Sequence, residues 1–212
     1  SDSALADVPR PVISYSDDLG LTVAVPFKPY SSRWTDILFT PTLMTRQGLM
    51  ATAEWRQRFT NGSFWVRGSA TTQLDDSPFK NTVGADRDWR GTIQSAGRFV
   101  PVRDWTVGWS YTAFTDAAFL DDYQLSDEDA SVNQVYATHL TDNTYLDARL
   151  QQFNLLGNVT EARQGQQGEA LPNVRFDHVQ ELGPGRGRVE ISGRLLGVQR
   201  GTDSIDDING VP

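Results

Sequence analysis

Residues 49–71 read LMATAEWRQRFTNGSFWVRGSAT, and the alternation within them decides the fold. Leu49, Ala51, Ala53, Trp55 and Phe59 occupy one parity, broken by Gln57. Met50, Thr52, Glu54, Arg56 and Arg58 occupy the other. A period of two places one set on each face of a strand, so one face is apolar and the other mostly polar. Asn61-Gly62 then gives a strong short hairpin signal. Beyond it Phe64, Val66, Gly68 and Ala70 alternate with Ser63, Arg67, Ser69 and Thr71, with Trp65 among the polar set.

The same pattern runs outward through the chain. Trp89, Gly91, Ile93, Gly97 and Phe99 alternate with Arg90, Thr92, Gln94 and Arg98. Trp105, Val107, Trp109, Tyr111 and Ala113 follow a turn at residues 102–104. Leu146, Ala148 and Leu150 continue it, as do Val189, Ile191, Gly193 and Leu195. Less regular strands are expected near residues 20–27, 34–43, 132–140 and 173–181. Turns at residues 61–62, 102–104, 141–143 and 183–187 are short. Connections at 75–88, 114–130 and 160–172 are long and polar. Roughly ten strands of about ten residues, joined this way, predict an all-β, antiparallel up-and-down transmembrane β-barrel, present in part. Arg and Glu in mid-strand suit a wet lumen. Trp89, Phe99, Trp105, Phe59 and Phe153 near strand ends suit interfacial girdles. Alternation alone leaves open a soluble β-sandwich binding module or a lipocalin-like barrel, whose apolar faces point inward.

Composition narrows the function. The chain has 212 residues, a formal net charge of -8 and no cysteine. An acidic chain is a poor match for nucleic acid, which needs clustered Lys and Arg. Absent cysteine removes disulfides, thiolate metal sites and a cysteine nucleophile. No apolar run reaches the roughly 18 residues of a spanning helix. Nothing after Ser1 reads as a signal peptide, so a mature protein or a cut fragment is expected. A negative mean hydropathy is compatible with a membrane barrel, since only every second strand residue meets lipid.

Chemistry-bearing residues are sparse. His139 and His178 are the only histidines, and both read as lumen-facing or turn residues. Asp177 and His178 are neighbours and point to opposite faces of a strand, so they form no catalytic pair. No serine sits in a nucleophile elbow; no enzyme, cofactor or metal site is expected. Acidic clusters at Asp75-Asp76, Asp121-Asp122, Asp127-Glu128-Asp129 and Asp206-Asp207 lack EF-hand spacing and read as solvated loops. Glu54, Arg56, Arg58, Arg90 and Arg98 are the lumen-facing candidates, placed to contact anionic sugars or a plug, or to pair across the sheet. Asn61-Gly62-Ser63 and Asn158-Val159-Thr160 fit the glycosylation pattern and read here as turn chemistry.

Residues 20–64, GLTVAVPFKPYSSRWTDILFTPTLMTRQGLMATAEWRQRFTNGSF, resemble the start of the barrel in the LptD family of lipopolysaccharide-assembly proteins, also called organic solvent tolerance proteins. The matching elements are Val25-Pro26-Phe27, Thr40-Pro41-Thr42, Arg46-Gln47-Gly48 and Ala53-Glu54-Trp55-Arg56. Residues 115–123, TDAAFLDDY, are similar to the family's Ser-Asp, aromatic, Asp-Tyr stretch, with Thr115 where Ser is usual. Residues 142–149 and Leu171-Pro172 fit in order, in a style closest to alphaproteobacterial members.

The resemblance implies lipopolysaccharide transport in the outer membrane of a Gram-negative bacterium. It implies a barrel of roughly twenty-six strands, an LptE-like lipoprotein plug, and an LptA-like periplasmic bridge docking on a domain absent from this chain. Residues 1–16 would end the preceding periplasmic segment, and residues 17–212 would be the amino-terminal portion of the barrel. Pro26 and Pro41, fifteen positions apart, match the family's paired prolines at a lateral gate, with Phe27 beside them. A proline cannot donate to a strand ladder, so each weakens pairing where it sits. Another outer-membrane channel, in which the prolines are incidental, is the alternative of the same fold. A first strand running outward from the periplasm would put the long connections on the periplasmic side, against the usual rule.

Overall fold

The computed structural model describes residues 10–84, 86–160, 164 and 169–199. One antiparallel sheet of 12 strands makes up almost all of it. The strands are β1 (Val12–Ser16), β2 (Gly20–Ala24), β3 (Phe27–Ser31), β4 (Thr35–Met44), β5 (Gly48–Phe59) and β6 (Gly62–Thr72). They continue as β7 (Trp89–Phe99), β8 (Trp105–Phe114), β9 (Ala130–Leu140), β10 (Thr144–Leu155), β11 (Glu169–Glu181) and β12 (Arg188–Gln199). Each pairs with its sequence neighbour, except that β2 and β3 both pair with β4. The excess over ten strands comes from β1 and from a break that divides the expected strand at 20–27. Most strands from β4 onward have the ten to thirteen residues that a tilted membrane-crossing strand requires. No described helix is long and apolar enough to cross a membrane.

Cross-strand register carries each side-chain parity across the sheet. Ala53, Gly68, Ile93 and Ala113 share one face; Glu54, Arg67, Gln94 and Thr112 share the other. On the first face Leu43, Leu49, Trp55, Ile93, Tyr111, Val135, Leu150 and Leu195 are exposed. A sandwich or lipocalin-like barrel would bury that face. Here it is a continuous apolar surface far larger than a soluble monomer leaves open. The sheet is therefore a section of membrane β-barrel wall, with this face outward. On it Trp55, Phe59, Phe64, Phe99 and Trp109 form a chain of ring contacts, with centroids 5.1–6.2 Å apart. This is one interfacial girdle. Phe153 departs from expectation: it pairs with Val132 and shares the inner parity of Gln151.

The three long connections, after β6, β8 and β10, all leave the same end of the wall. Their described residues, among them Phe79, Phe119 and Leu156, do not stay in solvent. A 3₁₀ turn at Ser77–Phe79 and a single helical turn, α1 (Phe119–Asp122), fold onto the inner face. Phe79, Phe119, Leu120, Tyr123 and Leu156 bury against Leu19, Met44 and Met50. This cap is the apolar core of the described residues. Main-chain and amide bonds stitch its loops together. Gly157 N donates to Ala117 O at 2.7 Å, and Asn158 Nδ2 donates to Asn81 O at 2.7 Å. The buried Gln47 amide bonds Asp75 O at 2.7 Å, fixing the loop after β6 to the β4–β5 turn.

The β5–β6 hairpin shifts by one residue from expectation. Phe59 pairs with Gly62, so Thr60-Asn61 forms the turn and Gly62 opens β6. Gly62 does not have a positive φ. Its requirement is close approach: a Cβ there would fall on Arg98 O and the Phe99 backbone. Gly62→Val is expected to destabilise the wall by about 1–3 kcal/mol through overpacking. Gly193→Ala in β12, where a Cβ meets nothing within 4 Å, should be near neutral. Urea titration of the folded barrel, read by semi-native electrophoresis, checks the pair.

Candidate functional site

The first strand is broken where the sequence places Pro26. Val23 pairs with Leu43 and Ala24 with Thr42; Phe27 pairs with Phe39 in the same register. β2 and β3 are thus two halves of one strand on β4. Between them Val25 N donates to Pro41 O at 3.1 Å. That bond shows which way Pro41 faces. Its carbonyl, and the N–H it lacks, point toward the first strand and not toward β5. In an antiparallel hydrogen-bonded pair both residues donate; here the return bond from Pro41 to Val25 cannot exist. Pro26 is one residue on, so its missing N–H points to the opposite edge, away from β4. One proline thins the pairing of the first two strands. The other removes a donor from the outer edge of the first.

β1 covers that edge only beside β2, from Val12 opposite Ala24 to Ser16 opposite Gly20. Beside β3 no described strand pairs with it. The register of β3 on β4 slips between Phe27 and Tyr30, where Pro29 lies. A proline inside a strand run is the sequence signal of such an irregularity. Phe27 packs edge-on against Phe39 at 5.5 Å on the outer face.

The inner-face candidates divide into four settings. Glu54 is buried and accepts from Arg56 on its own strand and from Arg67 Nε at 2.7 Å on β6. Arg58 Nη2 donates to Asp36 Oδ2 at 2.7 Å, and Ser31 Oγ donates to Asp36 Oδ1 at 2.7 Å. This relay ties β5 to β4 and β3 at the end away from the cap. Arg98 is exposed on the same face, remote from the cap.

Arg90 is elsewhere, under the cap, with its side chain 0% exposed. Its Nε and Nη2 donate to Asp116 at 3.0 and 2.6 Å, and Nη2 also donates to Asp122 at 2.7 Å. Phe79, Phe119 and Tyr123 stand around the guanidinium at 5.3, 5.8 and 5.3 Å. The solvated-loop reading of Asp121-Asp122 is therefore corrected. Asp122 is 9% exposed because α1 turns it inward, while Asp121 stays out. Asp127, Glu128 and Asp129 are exposed as expected. Asp206-Asp207 lies outside the described residues. One cation faces two buried carboxylates, and burial, opposed by Arg90, holds Asp122 above the ordinary carboxylate pKa.

The histidines take no part in this. His139 stacks on Trp105 at 4.8 Å, and His178 Nδ1 meets Thr144 Oγ1 at 2.9 Å. Both belong to the outer parity beside turns, which matches the turn alternative and not the lumen-facing one. Asp177 points inward, accepting from Arg175 Nε at 2.8 Å. Among the described residues no three His, Asp or Glu gather as metal ligands. Asn158 accepts from Val83 N at 3.2 Å as part of the cap.

Lipid-facing wall, polar interior and inward-folded connections together define an outer-membrane-type β-barrel component. A family model described as LptD, LPS transport system D, matches residues 88–208, more than half the chain. The chain belongs to that family, and its role lies in lipopolysaccharide transport and assembly. No curated protein matches it.

Arg90→Met would leave Asp116 and Asp122 facing each other without their cation. The expected result is a cap destabilised by about 3–5 kcal/mol, seen as accelerated amide exchange over residues 115–129 with the wall strands still protected. The pH dependence follows from Asp122. A group whose folded pKa is raised adds stability that is complete below its unfolded pKa and is lost as pH rises through the folded value. The wild-type cap should therefore weaken relative to Asp122→Asn as pH rises from 3.8 through the raised value. The same exchange measurement across that window tests the sign.

Proposed function

We propose that this chain is the amino-terminal part of an LptD barrel wall and that lipopolysaccharide leaves laterally beside its first strand. Residues 17–212 form the wall in this reading, and residues up to 16 end the periplasmic segment that precedes it, with Val12–Ser16 laid along the edge of β2. The lateral gate is Pro26, Pro41 and Phe27. The observation that carries it is the one-sided pairing of Val25 with Pro41, flanked by a strand edge with no donor at Pro26. A missing main-chain bond is worth roughly 0.5–1.5 kcal/mol in water and more where no water replaces it. Opening at this position begins with part of the ladder already absent.

The outer face then meets outer-membrane lipid, and the inner face meets an LptE-like plug. Arg56, Arg58 and Arg98, exposed and set away from the cap, are the cations within reach of anionic sugar or plug, Arg56 and Arg58 while paired to Glu54 and Asp36; Glu54 and Arg90 are buried in internal pairs. An LptA-like bridge delivers cargo through a domain outside this chain. The matched residues begin at 88, beyond the gate, so the gate rests on the resemblance at residues 20–64 and on strand geometry.

A photo-crosslinking residue at Phe27, in the full-length protein in living cells, should give a lipopolysaccharide adduct that is absent at the outward control Val107. No adduct at Phe27 or its strand neighbours, with the barrel well expressed, removes the gate. Pro41→Ala restores a donor facing Val25 O. It should strengthen the seam and lower the Phe27 adduct severalfold.

A further inference from the structure

At the end of the wall that carries the cap, β8 and β9 part. Their ladder runs from Trp105 opposite His139 to Ser110 opposite Gln134 and stops there, although β8 continues to Phe114 and β9 begins at Ala130. Each strand keeps its other neighbour: Phe114 stays opposite Thr92 on β7, and Ala130 opposite Leu155 on β10. In the fork, side chains stand in for main chain. Thr112 N donates to Asn133 Oδ1 at 2.7 Å, and Asn133 Nδ2 donates to Thr112 O at 3.2 Å. Ser110 Oγ donates to Val132 O at 2.8 Å. The Ser131 hydroxyl beside them is buried without a partner among the described residues.

The outer face changes character at the same level. On β8 its positions stay apolar or aromatic from Trp105 to Ala113. On β10 they are apolar over Leu146, Ala148 and Leu150, and then read Gln152 and Asn154. On β9, Ala137 and Val135 give way to Asn133 and Ser131. Residues 146–150 supply about half of the roughly nine to eleven residues that a bilayer crossing takes. Gln152 is exposed, and its amide makes no hydrogen bond among the described residues. A groove of about 730 Å³ follows the boundary. Trp109, Val135 and Leu150 form one row of it, and Tyr111, Asn133 and Gln152 the row nearer the cap. No charged residue lines it.

Two independent features thus argue against hydrocarbon at this level. Forked main chain does not occur against lipid tails, and an unpaired amide there is costly. Yet Val135 and Leu150, one row below, are 61% and 57% exposed on the lipid-facing side. Lipid covers them, so its polar layer comes next. A phosphate would find no cation in this lining, whereas ester carbonyls, glycerol oxygens and their water match a phenol and two amides. An apolar stretch too short for the bilayer is accommodated by local thinning.

We propose that the cap-side half of β9 and β10 is a docking surface for the uncharged ester and glycerol layer of the bilayer, which descends to the row of Tyr111, Asn133 and Gln152 and thins the leaflet there. The surface rests on the barrel wall and not on the lateral exit, since it lies on other strands.

The test uses the full-length protein in its native complex, reconstituted into phosphatidylcholine vesicles. The lipid carries a nitroxide quencher either on the headgroup or midway along an acyl chain. A fluorescent amino acid is placed singly at Gln152, Leu49 or Ile93. Leu49 is next to the cap-side end of β5, and Ile93 lies well inside β7. In a leaflet of uniform thickness Gln152 would report a depth near that of Ile93. The proposal expects a headgroup-to-chain quenching ratio at Gln152 matching Leu49 and severalfold above Ile93. A ratio equal to that at Ile93 overturns it, and quenching by neither lipid overturns it in favour of a covering protein. Gln152→Leu with Asn154→Leu, read by a fluorophore at Leu150, should lower the ratio severalfold, and an unchanged ratio there also overturns the proposal. Heat-modifiable electrophoretic migration confirms that each variant is folded.

Discussion

The main-chain ladder governs this molecule. In hydrocarbon no water replaces a missing backbone bond, so every strand must be paired along its length. That constraint sets the strand lengths, keeps the tight turns tight, and makes proline conspicuous. Apart from the β8–β9 fork at the cap end, β4 to β11 obey it through a continuous register. The exception within the wall falls at Val25 and Pro41. Pro172 shows the ordinary accommodation, since the β11–β12 register slips between Ala170 and Asn173. At the first strand the accommodation is a full break.

The second organising element is the charge buried under the cap. An isolated guanidinium in that environment is prohibitive, and two carboxylates for one cation are more than pairing needs. The surplus negative charge is met by hydroxyls, Thr82 donating to Asp122 and Thr115 to Asp116, while three aromatic faces stand around the guanidinium. Long connections that would be mobile are thereby fastened to β7. The wall carries a fixed inward projection made from its own loops.

Much of the fold was legible because a strand's period of two admits little ambiguity. Leu49 to Thr71 gave both faces of β5 and β6, and Trp65 was correctly placed among the polar set. Which face meets lipid was not legible, because alternation has no sign. Only the exposure of Leu49, Ile93 and Leu195 beside the burial of Met50 supplies it. Met44 and Met50 hinted at a covered interior, being apolar on the polar parity. The partners of Arg90 were hidden because Asp116 and Asp122 lie 26 and 32 positions away, in a loop whose composition reads as solvated. Gly62 marked the right hairpin for the wrong reason: neighbouring β7, and not φ, demands it.

The divided first strand also has a mechanical consequence. Peeling an edge strand from a sheet proceeds like a crack, advancing one bond at a time from a free end. A continuous strand offers two such ends, both at the membrane surfaces. The break at Val25-Pro26 puts a third within the wall, where β3 can lift from β4 while β2, clamped between β1 and β4, stays seated. For the lateral exit proposed above, this makes a short flap with a fixed root, whose opening would span the five residues of β3 and not the height of the barrel.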